Sequence, residues 1–275
     1  AAASHHHPPL GTILALLTGV MAVAFAPILA KLAMEYSQIG PNGSAFWRLL
    51  LALPVFATFM IGSEDQRRVA GEFRAASPAT WGLLFLPGVL FAGDLATWHI
   101  AFTYTTAAEA TLLANMQVIL VGFFSWAVLK ERVSPLFVMG TSLAIMGVAG
   151  LLLGPGDSGA AIANRLLGNG LAIITAAFYA AYLLTMKQLR GRFDTIIIMV
   201  ATCISGSLGL LLCTLVAGEP MLPGTDRGWI FLLLLALGPH CIGQGLIIFS
   251  LAKLPASFSS VTLLLQPLGV ALWGW

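Results

Sequence analysis

The feature that most constrains this chain is a set of nine apolar runs. Each is close to the ~20 residues of helix needed to cross a bilayer core about 30 Å thick. They cover roughly residues 10–33, 43–62, 79–102, 107–129, 134–153, 167–188, 195–217, 228–251 and 256–275. Between them stand Gly40-Pro-Asn-Gly43, the charged stretch from Ser63 to Pro78, Lys130-Glu-Arg132 before Ser134-Pro135, Gly154-Pro-Gly-Asp157 and Gly218-Glu-Pro220. Gly, Pro and charge are what helix ends require. Composition agrees: of 275 residues, 59% are hydrophobic and only 9% charged, with a mean hydropathy of +0.93. A soluble domain carries about 25% charged residues and would leave this much apolar surface as an aggregating patch. The soluble, disordered, collagen-like and coiled-coil classes are excluded. An all-α polytopic membrane protein remains.

The net charge of +2 gives no argument for nucleic acid. Cys203, Cys213 and Cys241 lie inside apolar runs, with no CxxC and no His at ligand spacing. No metal site and no cofactor are therefore expected. The segment Ala1–Pro9, with His5, His6 and His7, is set aside from fold reasoning. The run from Leu10 lacks a basic flank and reads as a mature helix. Placing the N-terminus in the cytoplasm puts nine basic residues inside (Arg67, Arg68, Arg74, Lys130, Arg132, Lys187, Arg190, Arg192 and Lys253). Four remain outside (Lys31, Arg48, Arg165 and Arg227). That asymmetry favours the N-in orientation, and with it a multi-pass protein of the cell inner membrane.

The chain also repeats itself. A shift of 149 residues aligns Ala107 with Ala256, Thr111 with Ser260, Gln117 with Gln266 and Trp126 with Trp275. Lys31 and Lys187 sit near the ends of the first and sixth runs. The repeat unit is five helices, an odd number, so the second copy enters from the opposite side. The expected architecture is ten transmembrane helices in an inverted 5+5 repeat, nine of them within the sequence. The repeats cover residues 10–153 and 166–275. A tenth helix is expected after Trp275. Inverted repeats support alternating access, with the site at the repeat interface.

These residues resemble the drug/metabolite transporter superfamily, specifically its EamA-type ten-helix members. The resemblance rests on Tyr104-Thr-Thr-Ala-Ala, Leu129-Lys-Glu-Arg-Val-Ser-Pro135, Gly140 to Gly150, Phe178-Tyr-Ala-Ala-Tyr182, Gly243-Gln-Gly245 and Leu254-Pro-Ala-Ser-Phe-Ser-Ser260. It covers about residues 10–275. It implies a secondary transporter of small molecules, and the best-studied bacterial relatives of this size are amino-acid and metabolite exporters.

Ionisable groups inside membrane helices cost about 3 kcal/mol on insertion scales and face the interior or a cavity. Asp94 lies well inside the third run, with Trp98 one turn on and His99 beside it. An acidic and aromatic cavity wall is the functional reading; a bond to a neighbouring helix is the structural one. In the eighth run His240 and Gln244 share a helical face, loosened by Pro239 and by glycines at 238, 243 and 245. A His there could couple to protons, or simply bond a carbonyl. Tyr179 and Tyr182 offer apolar faces with hydroxyls, or plain packing. Asn115 and Gln266 are the expected cavity donors of the fourth and ninth runs. Phe25 and Pro27 mark a kink that could act as a hinge. Lys31, Arg48 and Glu109 are expected at one level near the outer face. There Glu109 pairing with Lys31 or Arg48 would form a gate, unless the basic residues snorkel to headgroups.

Enzyme motifs are missing: there is no HExxH, GxSxG or P-loop. The expectation is a non-enzymatic secondary transporter that exports neutral or aromatic amino acids within the lipid bilayer, with a repeat architecture that allows a monomer to be complete. The alternatives are a drug or other metabolite carrier of the same fold and a non-transporting membrane receptor.

Overall fold

A computed structural model describes residues 9–62, 71, 77–131, 135–152 and 160–266 of the chain. Among the described residues there is no strand. Seven helices are long and apolar enough to cross a membrane: Leu10–Ser37, Pro41–Ile61, Pro78–Tyr104, Glu109–Ala127, Asn164–Leu189, Thr195–Ala217 and Asp226–Leu251. Two shorter apolar helices, Phe137–Gly147 and Ala256–Leu265, fall within the fifth and ninth runs. The protein is thus an all-α polytopic membrane protein, and its spans are numbered here as the nine runs. The His5–His7 segment, the 154–157 link and the Trp275 partner of Trp126 lie outside the described residues.

Four spans depart from regular α-helix, two of them at a proline. The first stops at Ala24 and resumes at Ala26. Pro27 is the second residue of the new segment and has no N–H to continue the ladder. The fourth is interrupted at Asn115–Met116, between Ala107–Ala114 and Gln117–Ala127. The eighth is π-helical over Ala236–Gln244, around Pro239. The ninth tightens to a 3₁₀ turn over Leu263–Leu265.

Packing is pairwise. The third span lies along the sixth, the seventh against the second and third, and the first against the eighth. The fourth contacts the sixth and ninth, and the fifth contacts the fourth and ninth. Two crossings depend on missing side chains. A Cβ on Gly243 would meet Val23 Cγ2 at 2.6 Å and the Val23 nitrogen at 3.1 Å. A Cβ on Gly88 would lie 2.6 Å from the Thr202 carbonyl oxygen. Small residues allow backbones this close, which is how helices associate in lipid. Leu208, Leu212 and Leu215 are more than 60% exposed along one face of the seventh span, a stripe for acyl chains rather than water.

Charges close the helix ends. The Glu219 carboxylate accepts the Asn42 and Gly43 backbone N–H groups at 2.8 and 3.2 Å and the Asn42 amide at 2.7 Å, capping the second span. At Ala256, the Glu131 carboxylate accepts the Ala256 and Ser257 N–H groups at 3.1 and 3.3 Å. Lys187 donates to the Leu251 and Leu254 carbonyls at 2.9 and 2.8 Å. An anion at a helix N-terminus and a cation at a C-terminus both oppose the helix dipole.

Candidate functional site

A cavity opens where the first, second, third, fourth, sixth, eighth and ninth spans approach one another. Its floor is Phe91. That ring stacks on Tyr182 at 4.6 Å and on His240 at 5.6 Å, so it is fixed from two sides. The Arg48 guanidinium carbon stands 5.8 Å from the Phe91 ring centre, a cation–π distance. The cavity volume is about 50 Å³, well below the roughly 300–1,000 Å³ of small-molecule sites, so the cavity is narrow in this conformation.

Six residues expected at the cavity line it: Asp94, Trp98, Asn115, Tyr179, Gln244 and Gln266. The Tyr179 hydroxyl and the Gln244 side chain lie 3.3–3.4 Å apart, which ties the sixth span to the eighth. Asn115 donates its amide to the Thr111 carbonyl at 2.9 Å and sits at the break of the fourth span. Gln117, directly after that break, also lines the cavity. It is 1% exposed and neither of its amide atoms has a hydrogen-bond partner.

Three expected cavity residues do not line it. His99 is fully buried; its Nδ1 donates to the Leu95 carbonyl at 2.8 Å, and its ring packs against Trp98 and Phe102. One residue of helix turns a side chain by about 100°, which carries His99 off the Trp98 face. Tyr182 is fully buried behind Phe91. His240 is likewise fully buried, its Nε2 3.4 Å from Cys203 Sγ. Gln244 reaches the cavity beside Tyr179, whereas the His240 ring packs against Phe91 and Phe56.

The expected gate is also rearranged. Arg48 is not at the outer rim but in the cavity, and only 2% exposed. The second span begins at Pro41, so Arg48 stands about 10 Å inside it at 1.5 Å per residue. Glu109 does not pair with Lys31 or Arg48. Arg165 donates to it through Nε at 3.0 Å and Nη2 at 2.5 Å, and the Thr105 hydroxyl donates as well. The turn at Thr105–Thr106 aims Glu109 toward the start of the sixth span. Lys31 is exposed, 6.0 Å from the Phe102 ring. Phe25 is the residue at which the first span is interrupted, and Pro27 is buried beside it.

Sequence reasoning missed Phe91, Gln117 and Thr175 as lining residues, and it placed Arg48 too shallow. The available signal was Arg48 itself, a guanidinium well inside an apolar run.

The sequence pattern of the EamA-like transporter family matches residues 10–153 and again residues 166–275. The chain belongs to the EamA-like transporter family. The drug/metabolite transporter superfamily is its wider group. An uncharacterized transporter of Archaeoglobus fulgidus is 25% identical over 185 residues, 66% of this chain and 58% of that protein. Solute carrier family 35 member G1 of Homo sapiens is 28% identical over 163 residues, 56% of this chain and 44% of that protein. The matches thus span about half the length of these relatives. A solved crystal structure superposes with a TM-score of 0.69 at 20% identity, over 94% of this chain and 88% of the other, a likeness of fold. This EamA-family chain is accordingly a multi-pass membrane protein.

Proposed function

We propose that the protein is an inner-membrane secondary transporter that exports amino acids, neutral or aromatic, by alternating access. The observation that carries this reading is the narrow cavity lined by Arg48, Asp94, Trp98 and Tyr179 at mid-span depth. A mixed polar and aromatic wall suits a small amphipathic solute. Ionisable groups this deep in a span mark a functional site by default.

Alternating access needs two halves that can rock about the site. Residues 10–153 and 166–275 form those halves in this account, related as inverted repeats. Two features support the relation. The third span lies on the sixth as the eighth lies on the first, the exchange a two-fold axis makes. The break at Asn115–Met116 and the 3₁₀ turn at Leu263–Leu265 fall at the same place under the 149-residue shift. Each puts a cavity glutamine, Gln117 or Gln266, next in the chain. Unwound backbone of this kind lines the sites of repeat-built transporters. The kink at Phe25 and Pro27 would supply a hinge, and Glu109 with Arg165 would close the outer end. The N-terminus would face the cytoplasm, and a monomer would be complete.

Counterflow uptake of labelled amino acids by the purified protein in liposomes tests this reading. The expected result is saturable uptake that unlabelled neutral or aromatic amino acids compete. Absence of such uptake in folded protein overturns the amino-acid assignment. Uptake of drugs or other metabolites instead would favour a different carrier of the same fold.

A further inference from the structure

Two side chains of opposite charge type share the cavity without forming an ion pair. Arg48 comes from the second span and Asp94 from the third, and both line the cavity. Among the described residues, however, neither has an ion-pair partner within 4.0 Å. Arg48 Nε has no hydrogen-bond partner, and neither has either amide atom of Gln117. Leaving buried polar atoms unpaired is costly, and more so for charged groups. A membrane protein that only needed to pack would have paired them or replaced them.

We infer that Arg48, with the Gln117 amide, is the carboxylate-recognition element of the cavity. Asp94 is its cation-recognition element, so the site selects solutes that carry both charges at once. A guanidinium presents a planar fork that matches a carboxylate, and the Gln117 N–H adds a neutral donor. Asp94 accepts only, and suits an ammonium. A zwitterion neutralises both ends on arrival. A monoamine leaves Arg48 unpaired, and a monocarboxylate leaves Asp94 unpaired. Sites built to pair a polar group reject the analogue lacking it by roughly 10⁴–10⁵-fold. The inference rests on the proposed transport function only in taking this cavity as the solute site.

The test is equilibrium binding to the purified, monodisperse full chain, alongside liposome uptake. Three probes of one skeleton are used: L-phenylalanine, phenethylamine and 3-phenylpropionate. The expected result is that L-phenylalanine binds and the other two bind at least about 100-fold more weakly, a loss of 2.7 kcal/mol at 1.36 kcal/mol per tenfold. Arg48→Gln and Gln117→Leu should each weaken L-phenylalanine binding, and Arg48→Lys should recover part of it. Should Arg48→Gln fail to fold, Gln117→Leu carries the same test. Equal binding of the single-charge probes, undiminished binding in the Gln117→Leu protein, or no binding of L-phenylalanine overturns the inference. Selective binding with no flux would keep it and sink transport. Flux of the amine alone would do the reverse.

Discussion

Arg48 and Asp94 face one cavity from adjacent spans and form no ion pair within 4.0 Å. The guanidinium rests instead 5.8 Å above the Phe91 ring. Charges held apart in a dry site are poor contributors to stability. Replacing a buried ionic pair with apolar side chains is often neutral or stabilising by about 1–4 kcal/mol. The double replacement Arg48→Met with Asp94→Leu should therefore keep or raise Tm in detergent while abolishing uptake. Single replacement of either residue should lower Tm, because one charge is then uncompensated. A fall in Tm for the double variant larger than for both singles would mean the pair is structural.

The first and eighth spans meet at Gly19 and Gly243. A Cβ on Gly19 would sit 2.8 Å from the Gly243 carbonyl oxygen. Gly19→Val should force the spans apart and cost about 1–3 kcal/mol, as overpacking does. Gly11→Val, whose Cβ would meet nothing within 4 Å, serves as the control. Thermal unfolding of the two proteins in the same detergent checks this.

Glu131 carries the start of the ninth span through two backbone N–H groups and the Ser257 hydroxyl at 3.3 Å. Glu131→Ala should cost about 0.5–2 kcal/mol, the range for losing a helix N-cap. Glu131→Gln should retain part of it, since an amide oxygen still accepts. Denaturation midpoints of the three proteins decide whether the carboxylate acts as a cap.

Much of this arrangement was legible in the residues, and the reasons are physical. Nine runs could be counted because a bilayer core fixes helix length. Breaks near Pro27 and Pro239 were readable because proline lacks a donor. Asp94, Asn115 and Gln244 stood out because polar groups in apolar runs need a use. Facing was harder. Helical periodicity places His240 and Gln244 on one face, but the Phe91 ring of the third span lies against His240, and cover supplied by another span is not readable from the eighth run. Arg48 was misplaced because its facing, toward the cavity and the Phe91 ring of the third span, depends on how the spans pack.

The facing of the histidines bears on proton coupling. His99 and His240 are fully buried and off the cavity, whereas Asp94 lines it. If uptake responds to a pH gradient, His99→Gln and His240→Gln should leave that response within about twofold, and Asp94→Asn should remove it. Arg48, Tyr179 and Tyr182 are the groups that interact electrostatically with Asp94. A response that survives Asp94→Asn but is lost in a histidine variant would reverse the assignment.

The central claim is that this cavity is the transport route and is reached from each side in turn. Thiol labelling of Asn115→Cys tests it most directly, in protein with Cys203, Cys213 and Cys241 replaced by alanine. A membrane-impermeant reagent is applied from one face of sealed vesicles or from the other. The account predicts labelling from both faces, slowed in each case by a transported amino acid. Labelling confined to one face under all conditions, or indifferent to every solute that is taken up, would contradict it.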